Sequence, residues 1–490
     1  MQKKYWIWSI IICALTVTAC FFFCFYTEDE LFMPSLKVSG DVKNSIYLEK
    51  MNSSELKTFY YKDKTFKGLS LDDVINETIP VYDENEIFLI SEDERVVSLN
   101  MDQIEESYLI FAENGWESIN LNHPVNCNSK YLKEILVVSK ISMAGKGFSL
   151  INSDKNLINI TNGQLLTGQK ILKKLSLIGQ AASQQEKDRY ICNIFQQQDL
   201  FELSRLVEIP KNVPILIMGK EGGYHFTYQL NSFEIKDNQI DYLDTKGNVL
   251  VSNVAGVILD TPKKSIMDVY EDSVYFAEEN EPVLMLLLDG FGYHQYEYAL
   301  ENNRIPYLKN VKKADKATSV YVPVTNAGLA AMITGQPPGK NGVIYREKDL
   351  NTPSIFQWMN KKNKKALLIE GNIKILNTEI EPILNIDQNG NGKIDDEILQ
   401  SALQYCREDY DFLMVHFHSI DDSGHDFGDL SEETMNTITE IDGYIQKLSL
   451  YWDGKMIITA DHGMHAIEGG GKHGEFRYED LIVPYLIIDL

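Results

Sequence analysis

The pattern of hydrophobic and polar positions changes character along the chain. From Leu36 to about Val138, short alternating runs such as Glu86-Ile-Phe-Leu-Ile90 are separated by turns, which is typical of half-buried strands. The stretch from about Ile160 to Leu259 repeats this plan. We therefore predict a β-rich module at 34–140 and a second β-rich module, a degenerate repeat of the first, at 150–265.

Beyond about residue 280 the apolar runs become nearly continuous and alternate with helical patterns. Four of them are Val283-Leu-Met-Leu-Leu-Leu288, Ala366-Leu-Leu-Ile369, Phe412-Leu-Met-Val415 and Met456-Ile-Ile-Thr459. Strands that are buried on both faces have this appearance, because helices cover both sides of a parallel sheet. The fold class predicted for 280–490 is therefore α/β, with a doubly wound sheet.

The N-terminal residues form a separate apolar segment. Lys3 and Lys4 precede an apolar run from Tyr5 to Tyr26, which is long enough to cross a bilayer of ~30 Å as a helix. We predict a transmembrane anchor at 1–27, with the bulk of the chain outside the membrane because the lysines favour an inside N-terminus. A cleaved signal peptide is the alternative, since Val17-Thr-Ala-Cys20 resembles a lipoprotein cleavage site.

Charge and cysteine content argue against a nucleic-acid-binding protein and against a cysteine-based metal site or disulfide framework. The formal net charge of -25 argues against a nucleic-acid-binding surface, because phosphates would be repelled over much of the protein. An anionic substrate must therefore be attracted locally, and bound cations are a means of doing so. Only Cys127, Cys192 and Cys406 lie outside the N-terminal segment, and they make neither a disulfide framework nor a zinc knuckle. Any metal must be held by Asp and His.

Three aspartates follow the apolar runs of the C-terminal region, and three histidines lie in nearby glycine-rich turns. Ligands bind beyond the carboxyl ends of the strands in open α/β sheets, so these side chains are expected to converge. Mixed Asp/His sets suit Zn²⁺, with Mn²⁺ as an alternative. Taken singly, each residue could equally be a turn cap or a surface side chain. The six candidates are Asp289, Asp421, His425, Asp461, His462 and His473.

Thr325 is the candidate nucleophile. Pro323 disfavours helix before it, and the small residues from Asn326 to Ile333 predict a short helix after it. Its hydroxyl is thus placed to face a phosphoryl group held at a helix N-terminus. A threonine at such a junction is also an ordinary N-cap. A neighbouring cation favours the catalytic interpretation, because it lowers the pKa of a coordinated hydroxyl.

Several motifs in the C-terminal half occur together in one order. They are Leu-Leu-Leu-Asp289-Gly, Pro-Val-Thr325-Asn, Asp421-Asp-Ser-Gly-His425, Asp461-His462-Gly-Met and Lys-His473-Gly-Glu. This half resembles the alkaline phosphatase superfamily and, within it, the type I phosphodiesterase/nucleotide pyrophosphatase group. The resemblance implies one metal on Asp289, Thr325, Asp461 and His462, and another on Asp421, His425 and His473.

The same resemblance implies an extracytoplasmic phosphoesterase of the phosphodiesterase/pyrophosphatase type, which acts on phosphoester or pyrophosphate bonds through a phosphothreonine intermediate. The alternatives are a transferase of phosphoryl-linked head groups, a phosphomonoesterase and a non-catalytic surface binding protein. One departure matters: Arg346 lies where nucleotide-cleaving members place an asparagine near the phosphoryl oxygens. Arg346 and Asn326 are the candidate substrate-binding residues. A bidentate guanidinium favours a more highly charged group, although Arg346 could also be a surface residue.

A second cation site is predicted between the apolar runs. Asp387, Asn389, Asn391 and Asp395 occupy positions one, three, five and nine of a calcium-loop pattern, with glycine at six. The twelfth position is Ile398 rather than Glu, so Asp396 or Glu397 would have to substitute. The alternative is an ordinary Asn/Gly turn.

The first β-rich module resembles the sulfite-oxidase-type molybdopterin domain. The resemblance rests on Val38-Ser-Gly-Asp-Val42, Lys67-Gly-Leu-Ser-Leu-Asp-Asp-Val74 and His123-Pro124. The cysteine that this family places on molybdenum is absent from the early loop, because Cys127 lies in the closing segment. We therefore expect a binding or positioning module without molybdopterin.

Overall fold

The computed structural model of the chain describes residues 33–51, 54–113, 115–141, 147–168, 172–185, 188–205, 207–236 and 239–490. These residues divide into two compact units, with the boundary between Lys140 and Ile141. Over the described ranges, no helix combines the length and the apolar character needed to cross a membrane. The anchor predicted at 1–27 lies outside the described residues.

The first unit is built around one mixed β-sheet. Its elements are β1 (Leu36–Gly40), β2 (Ile46–Leu48), β3 (Lys57–Tyr61), β4 (Lys64–Ser70), α1 (Leu71–Thr78), β5 (Asn85–Ser91), β6 (Val96–Asn100), β7 (Ser107–Ala112), β8 (Gly115–Asn120) and β9 (Leu132–Ser139). The strand order is β2-β1-β9-β8-β7-β4-β3, and β5 pairs with β6 and β9. Alternate residues of β5 are buried, as the sequence pattern predicts. The Ser70 side chain caps α1 by accepting from Asp73 N.

The second unit begins with two five-stranded sheets. Their elements are β10 (Phe148–Ile151), β11 (Leu157–Ile160), α2 (Asn162–Gly168), β12 (Leu172–Gln185), β13 (Asp188–Phe201), β14 (Ile215–Gly219), β15 (Tyr224–Thr227), β16 (Phe233–Lys236), β17 (Gln239–Leu243), β18 (Val249–Val251) and β19 (Val254–Leu259). One sheet has the order β11-β10-β19-β14-β15 and the other β12-β13-β16-β17-β18.

The two β-rich modules share a strand arrangement. In the first, β2-β1-β9-β5-β6 are successive neighbours, and only β1 and β9 run parallel. In the second, β11-β10-β19-β14-β15 have the same order, and only β10 and β19 run parallel. This correspondence supports a relation between the modules, which stays a prediction.

The rest of the second unit is a helix-covered sheet. Its elements are β20 (Lys264–Ser265), α3 (Asp268–Glu278), β21 (Val283–Leu288), α4 (Tyr293–Glu301), α5 (Pro306–Val311), β22 (Asp315–Thr318), α6 (Thr325–Thr334), α7 (Pro338–Asn341), α8 (Ile355–Lys361), β23 (Ala366–Glu370), β24 (Ile383–Leu384), α9 (Asp395–Tyr405), β25 (Phe412–Phe417), α10 (Ser419–Phe427), α11 (Glu432–Ser449), β26 (Lys455–Thr459), β27 (His465–Ile467), β28 (Gly470–Lys472), α12 (Tyr478–Leu481) and β29 (Ile482–Asp489).

Eight strands form this sheet in the order β20-β22-β29-β26-β21-β25-β23-β24. The inner strands β26, β21, β25 and β23 run parallel to one another, whereas β29 is antiparallel to both of its neighbours. Every residue of β21 and β25 is buried. The predicted mixed α/β fold is confirmed, and its parallel strands bring their carboxyl ends to one edge.

The second β-rich module packs directly on this sheet domain. Gly339 N donates to Gly222 O at 3.0 Å. A Cβ at Gly222, where φ is +76°, would lie 2.7 Å from the Pro338 side chain, so only glycine fits this contact. Leu216 and Met218 of β14 join the hydrophobic core of the sheet domain. The module is therefore part of the same compact unit.

Candidate metal centre and nucleophile

The carboxyl edge of the sheet carries the predicted aspartates. Asp289 directly follows β21, and Asp461 follows β26 after Ala460. Asp421 was expected to end a strand, but β25 stops at Phe417 and Asp421 lies in the first turn of α10. The helix begins there because the Asp395 carboxylate accepts the backbone N–H groups of His418 and Ser419, each at 2.9 Å.

Four predicted residues form a first cluster. Nε2 of His462 lies 3.4 Å from Asp289 Oδ1, 3.5 Å from Asp461 Oδ2 and 3.4 Å from Thr325 Oγ1. The other oxygen of Asp461 accepts from His462 N at 2.9 Å and from Gly290 N at 3.3 Å. These backbone bonds fix the carboxylate so that Oδ2 faces the cluster.

The other three predicted residues form a second cluster. The Nε2 atoms of His425 and His473 lie 3.4 Å and 3.8 Å from opposite oxygens of Asp421. The two clusters adjoin, because the rings of His462 and His473 stack with their centroids 3.9 Å apart. The structure thus brings all seven predicted ligands into one neighbourhood.

The histidine rings are held in one orientation by backbone carbonyl groups. Nδ1 of His425, His462 and His473 lies 3.0 Å from the carbonyl oxygens of Gly471, Gly463 and Pro323, respectively. A carbonyl oxygen only accepts, so Nδ1 carries the proton in each ring. In the neutral form of each ring the Nε2 lone pair is then left for a ligand, which is the usual arrangement around a metal-binding histidine.

The residues present fit divalent cations. Oδ1 of Asp289, Oδ2 of Asp461 and Oδ1 of Asp421 are buried without a hydrogen-bond partner, although unpaired buried oxygens are costly. The donor atoms are separated by 3.4–3.8 Å. Ligands of tetrahedral zinc at bond lengths of about 2.0–2.2 Å lie about 3.3–3.6 Å apart. Asp289, Asp461 and His462 form one candidate group, and Asp421, His462 and His473 form another.

The electrostatics of the cluster also favour added positive charge. Burial and the charge of Asp289 raise the pKa of Asp461 to about 7. Burial opposes protonation of His462, but Asp461 and Asp289 outweigh it and raise its pKa to about 9. Burial and the charge on His462 lower the pKa of His473 to about 4. A cation among these groups would remove the repulsion between the buried carboxylates.

Thr325 is the first residue of α6, and Val324 is the N-cap. The threonine hydroxyl is therefore not used as the cap, contrary to the alternative raised from the sequence. The helix approaches the centre closely, because a Cβ at Gly328 would lie 2.6 Å from the Cβ of Asp461. Small residues in α6 are thus required for this helix to approach Asp461.

The two predicted substrate-binding residues lie at a loop beside Thr325. The Asn326 amide donates to the carbonyl oxygens of Glu347 and Ile375, each at 3.2 Å. Arg346 is exposed, and its guanidinium lies 5.4 Å from the centroid of the Tyr345 ring. Asn326 thus ties the loop that carries Arg346 to the helix that begins at Thr325, while the roles of both side chains in binding substrate stay predictions.

Sequence reasoning missed a group beside Asp289. Nδ1 of His416 lies 3.0 Å from Glu370 Oε2, and its Nε2 lies 3.2 Å from Asp289 Oδ2. His418 lies against His416, with ring centroids 3.9 Å apart. The sequence did contain an indication of this group, because Glu370 and His416 lie in otherwise apolar strands and His418 directly follows one. Charged or polar side chains at such buried positions must find partners. Their partners, however, come from different strands and could not be assigned from spacing.

The predicted calcium loop forms a compact turn. Asp387 Oδ1 accepts from Gly390 N at 2.6 Å, and Oδ2 accepts from Gly392 N at 2.9 Å. Asp395 does not serve this loop, because both of its oxygens cap α10. Glu397 takes its place: Oε1 accepts from Gln388 N at 3.0 Å, and the buried Oε2 has no partner. Glu397 rather than Asp395 therefore offers its carboxylate to this loop, and cation binding by the loop stays a prediction.

Residues 372–484 match the model of the family described as type I phosphodiesterase / nucleotide pyrophosphatase. The family resemblance predicted from the motifs is thereby confirmed over this segment. The match supports a hydrolase that acts on phosphoric ester bonds. The comparison with curated proteins gives no match. The matched segment includes the ligand candidates Asp421, His425, Asp461, His462 and His473.

Similar solved structures cover part of the chain. Phosphonoacetate hydrolase from Sinorhizobium meliloti 1021, in complex with phosphonoformate, is 18% identical over 38% of this chain and 57% of that chain, with a TM-score of 0.32. Murine ectonucleotide pyrophosphatase / phosphodiesterase 5 is 18% identical over 38% and 58%, with a TM-score of 0.31. The human protein is 17% identical over 38% and 57%, with a TM-score of 0.31. This chain therefore spans less than two thirds of each structure, and the TM-scores are too low to define a common overall fold.

Proposed function

Because residues 372–484 match the type I phosphodiesterase / nucleotide pyrophosphatase family, we propose that the chain is a metal-dependent phosphoesterase of the phosphodiesterase/pyrophosphatase type that uses Thr325 as its nucleophile. The observation that carries this proposal is the position of Thr325 Oγ1, 3.4 Å from Nε2 of His462 and at the start of α6. A hydroxyl in that position has both candidate cation sites beside it.

The chain's donors suit two cations, preferably Zn²⁺ with Mn²⁺ as the alternative, because both imidazole and carboxylate take part. Thr325, Asp289, Asp461 and His462 would hold one ion, and Asp421, His425 and His473 would hold the other. When bound, the ions supply the positive charge that lowers the pKa of the threonine hydroxyl and offsets the charge of the phosphoryl oxygens. An alkaline-phosphatase-like arrangement of this kind is part of the proposal.

Thr325 would act in two displacements. In the first, its Oγ1 forms a bond to phosphorus while the bond from phosphorus to the leaving oxygen breaks. In the second, water attacks phosphorus, the bond to Oγ1 breaks, and the hydroxyl is restored. The backbone N–H groups in the first turn of α6 favour the negative charge of the phosphoryl group throughout.

The loop beside Thr325 bears on substrate choice. Arg346 is exposed next to Glu347, whose carbonyl oxygen holds Asn326. A guanidinium that turns toward the phosphoryl group would bind two of its oxygens and favour a terminal phosphate over a diester. A phosphomonoesterase and a head-group transferase therefore remain as competing activities of the same site, and product analysis with and without an alcohol acceptor separates them.

The test is hydrolysis by the purified full-length chain of an aryl monoester, an aryl diester and a pyrophosphate, each with and without Zn²⁺ or Mn²⁺. We expect metal-dependent turnover that falls by on the order of 10³-fold or more in Thr325→Ala and is partly retained in Thr325→Ser. The far-ultraviolet circular dichroism spectrum controls for folding. Full activity of a folded Thr325→Ala variant would reject the nucleophile, and a binding protein would show no turnover with any substrate.

Two further proposals concern the setting of this site. We propose an extracytoplasmic location, on the basis of the lysines and apolar run at residues 1–27, and fractionation of cells that produce the full chain tests it.

We also propose that the loop from Asp387 to Glu397 binds Ca²⁺. Its support is the all-oxygen donor set and the buried, unpartnered Oε2 of Glu397.

A further inference from the structure

Asp289 faces a second set of nitrogen donors on the side away from His462. Its Oδ1 lies near His462, whereas its Oδ2 lies 3.2 Å from Nε2 of His416 and 3.4 Å from Nδ1 of His418. One carboxylate oxygen and two imidazole nitrogens thus converge on one point. These three residues form a group whose donor atoms lie within 4.8 Å of one another.

The spacing of these donors is that of ligands around a small cation. For tetrahedral zinc, neighbouring ligands lie about 3.3–3.6 Å apart. The distance from Asp289 Oδ2 to His418 Nδ1, 3.4 Å, falls in this range, and the distance to His416 Nε2, 3.2 Å, is just below it. The site is also secluded, because the His416 side chain is 0% exposed, that of Asp289 is 5% exposed and that of His418 is 19% exposed.

Glu370 lies behind both histidines. Its Oε2 is 3.0 Å from Nδ1 of His416 and 3.7 Å from Nε2 of His418, so each imidazole has one nitrogen toward Asp289 and the other toward Glu370. A carboxylate that accepts from the far nitrogen of a ligand histidine is the usual outer partner at metal sites. Oε1 of Glu370 and Nε2 of His418 are buried without a hydrogen-bond partner.

The backbone is shaped around His418. A Cβ at Gly371 would lie 3.0 Å from His418 Nε2, so the absence of a side chain at residue 371 allows the ring to occupy this position. Gly371 directly follows Glu370, and the two residues bring the end of β23 against the end of β25. The pocket is therefore formed by neighbouring strands of the sheet rather than by a mobile surface loop.

We propose that Asp289, His416 and His418 bind a third divalent cation, separate from the two ions of the proposed function, with Glu370 as the outer carboxylate that accepts from Nδ1 of His416 and faces Nε2 of His418. The two-imidazole, one-carboxylate set selects a cation that accepts nitrogen ligands, such as Zn²⁺, Mn²⁺ or Co²⁺, over Mg²⁺ or Ca²⁺. Asp289 then bridges two ions, with Oδ1 directed to one and Oδ2 to the other. The proposal does not require that the chain hydrolyse phosphoesters.

The competing interpretation is a metal-free ion-pair network, in which two protonated histidines lie between Asp289 and Glu370. It places two positive rings with centroids 3.9 Å apart in a buried setting. A single cation with two neutral imidazoles uses the same four side chains without that repulsion. Metal content distinguishes the two interpretations directly.

The experiment is metal analysis of the purified full-length chain. The protein is stripped with a chelator, equilibrated with Zn²⁺ in calcium-free buffer, freed of unbound metal and measured by inductively coupled plasma mass spectrometry. We expect three Zn²⁺ per chain for the wild type and two for His418→Gln. The matched control is His123→Gln, a half-buried histidine of the first unit, which is expected to keep three.

Glu370→Gln keeps the shape of the side chain, and it tests the third cation site if His418→Gln does not fold. We expect its third equivalent to bind 10–100-fold more weakly, with the other two unchanged. Two equivalents in the wild type, or a third that neither variant alters, would overturn the proposal. Three equivalents without hydrolysis would contradict the proposed function alone, and hydrolysis with two equivalents would contradict the third site alone.

Discussion

The hydroxyl oxygen of Thr325 lies 3.4 Å from Nε2 of His462, although the two residues are 137 positions apart in the sequence. The sheet creates this proximity by placing the start of α6 beside the residues that follow β26. The proposed role of Thr325 depends on how closely this helix approaches the candidate metal ligands.

Replacement of Gly328 by alanine is predicted to displace α6. The added Cβ would lie 2.6 Å from the Cβ of Asp461 and 2.7 Å from its carbonyl oxygen, so the helix or the ligand must move. A shift of about 1 Å in a reacting group costs up to about 10²-fold in rate. We therefore expect Gly328→Ala to lower kcat/KM by at least about 10-fold, as measured by steady-state hydrolysis of an aryl phosphoester.

The matched control for that variant is Gly443→Ala in α11. Gly443 also lies within a helix, but a Cβ there meets nothing within 4 Å. Alanine should raise the free energy of unfolding by ~0.5–1 kcal/mol through helix propensity and leave the rate unchanged. Equal rates for Gly328→Ala and Gly443→Ala would show that the approach of α6 to Asp461 is not critical.

Arg346→Ala tests which phosphoryl groups the site prefers. If the guanidinium binds phosphoryl oxygens, its removal should lower kcat/KM for a monoester by about 10-fold or more and affect a diester less, because the monoester carries more charge. The control is Arg407→Ala, an arginine that also stacks on a tyrosine, at 4.8 Å from the Tyr451 ring. Equal, small effects of both variants on both substrates would identify Arg346 as a surface residue.

Thiol reactivity tests the packing of the unit cores. Burial raises the pKa of Cys406 to about 12 and also raises that of Cys127. The thiolate is the reactive form, and a pKa near 12 leaves on the order of 10⁻⁴ of the thiol ionised at pH 8. We expect iodoacetamide to label the exposed Cys192 rapidly, and the other two only after unfolding, as followed by peptide mass spectrometry. Rapid labelling of Cys406 in the folded chain would contradict its burial in the core of the sheet domain.

Calcium should stabilise the sheet domain through the loop at Asp387. An ion held only by the folded loop adds about 2.7 kcal/mol at 100 times its dissociation constant, which should raise the Tm reversibly in differential scanning calorimetry. Asp387→Ala should abolish the rise in Tm that calcium causes. Asp244→Ala is the control, because Asp244 accepts similar bonds from Lys246 N and Asn248 N in an ordinary turn. Calcium-dependent stabilisation that survives in Asp387→Ala would refute the loop as its site.

The buried strands and the ligand candidates were predictable from the sequence for a physical reason. A strand covered on both faces, such as Val283–Leu288, must be apolar throughout, and parallel strands bring the residues after them to one edge. The positions of Asp289 and Asp461 follow from those two rules. The pairing of the helix start at Thr325 with His462 was suggested only by the family resemblance.

Other features depended on contacts between distant segments. Asp395 fits the calcium-loop pattern, but its oxygens cap the helix that starts at Ser419, which no local pattern records. The same cap places Asp421 inside a helix instead of at a strand end. The relation between His416 and Glu370 was also hidden, because it requires knowing that β23 and β25 are neighbours.

The most direct test of the proposed chemistry is detection of the covalent intermediate. The metal-loaded full-length chain is mixed with an aryl phosphodiester, quenched in acid within the first turnovers, digested and analysed by peptide mass spectrometry. Nucleophilic attack by Thr325 predicts a phosphoryl-containing adduct on this residue that appears only with metal and is absent from Thr325→Ala. Rapid turnover with no adduct at Thr325, or unchanged turnover in that variant, would contradict it.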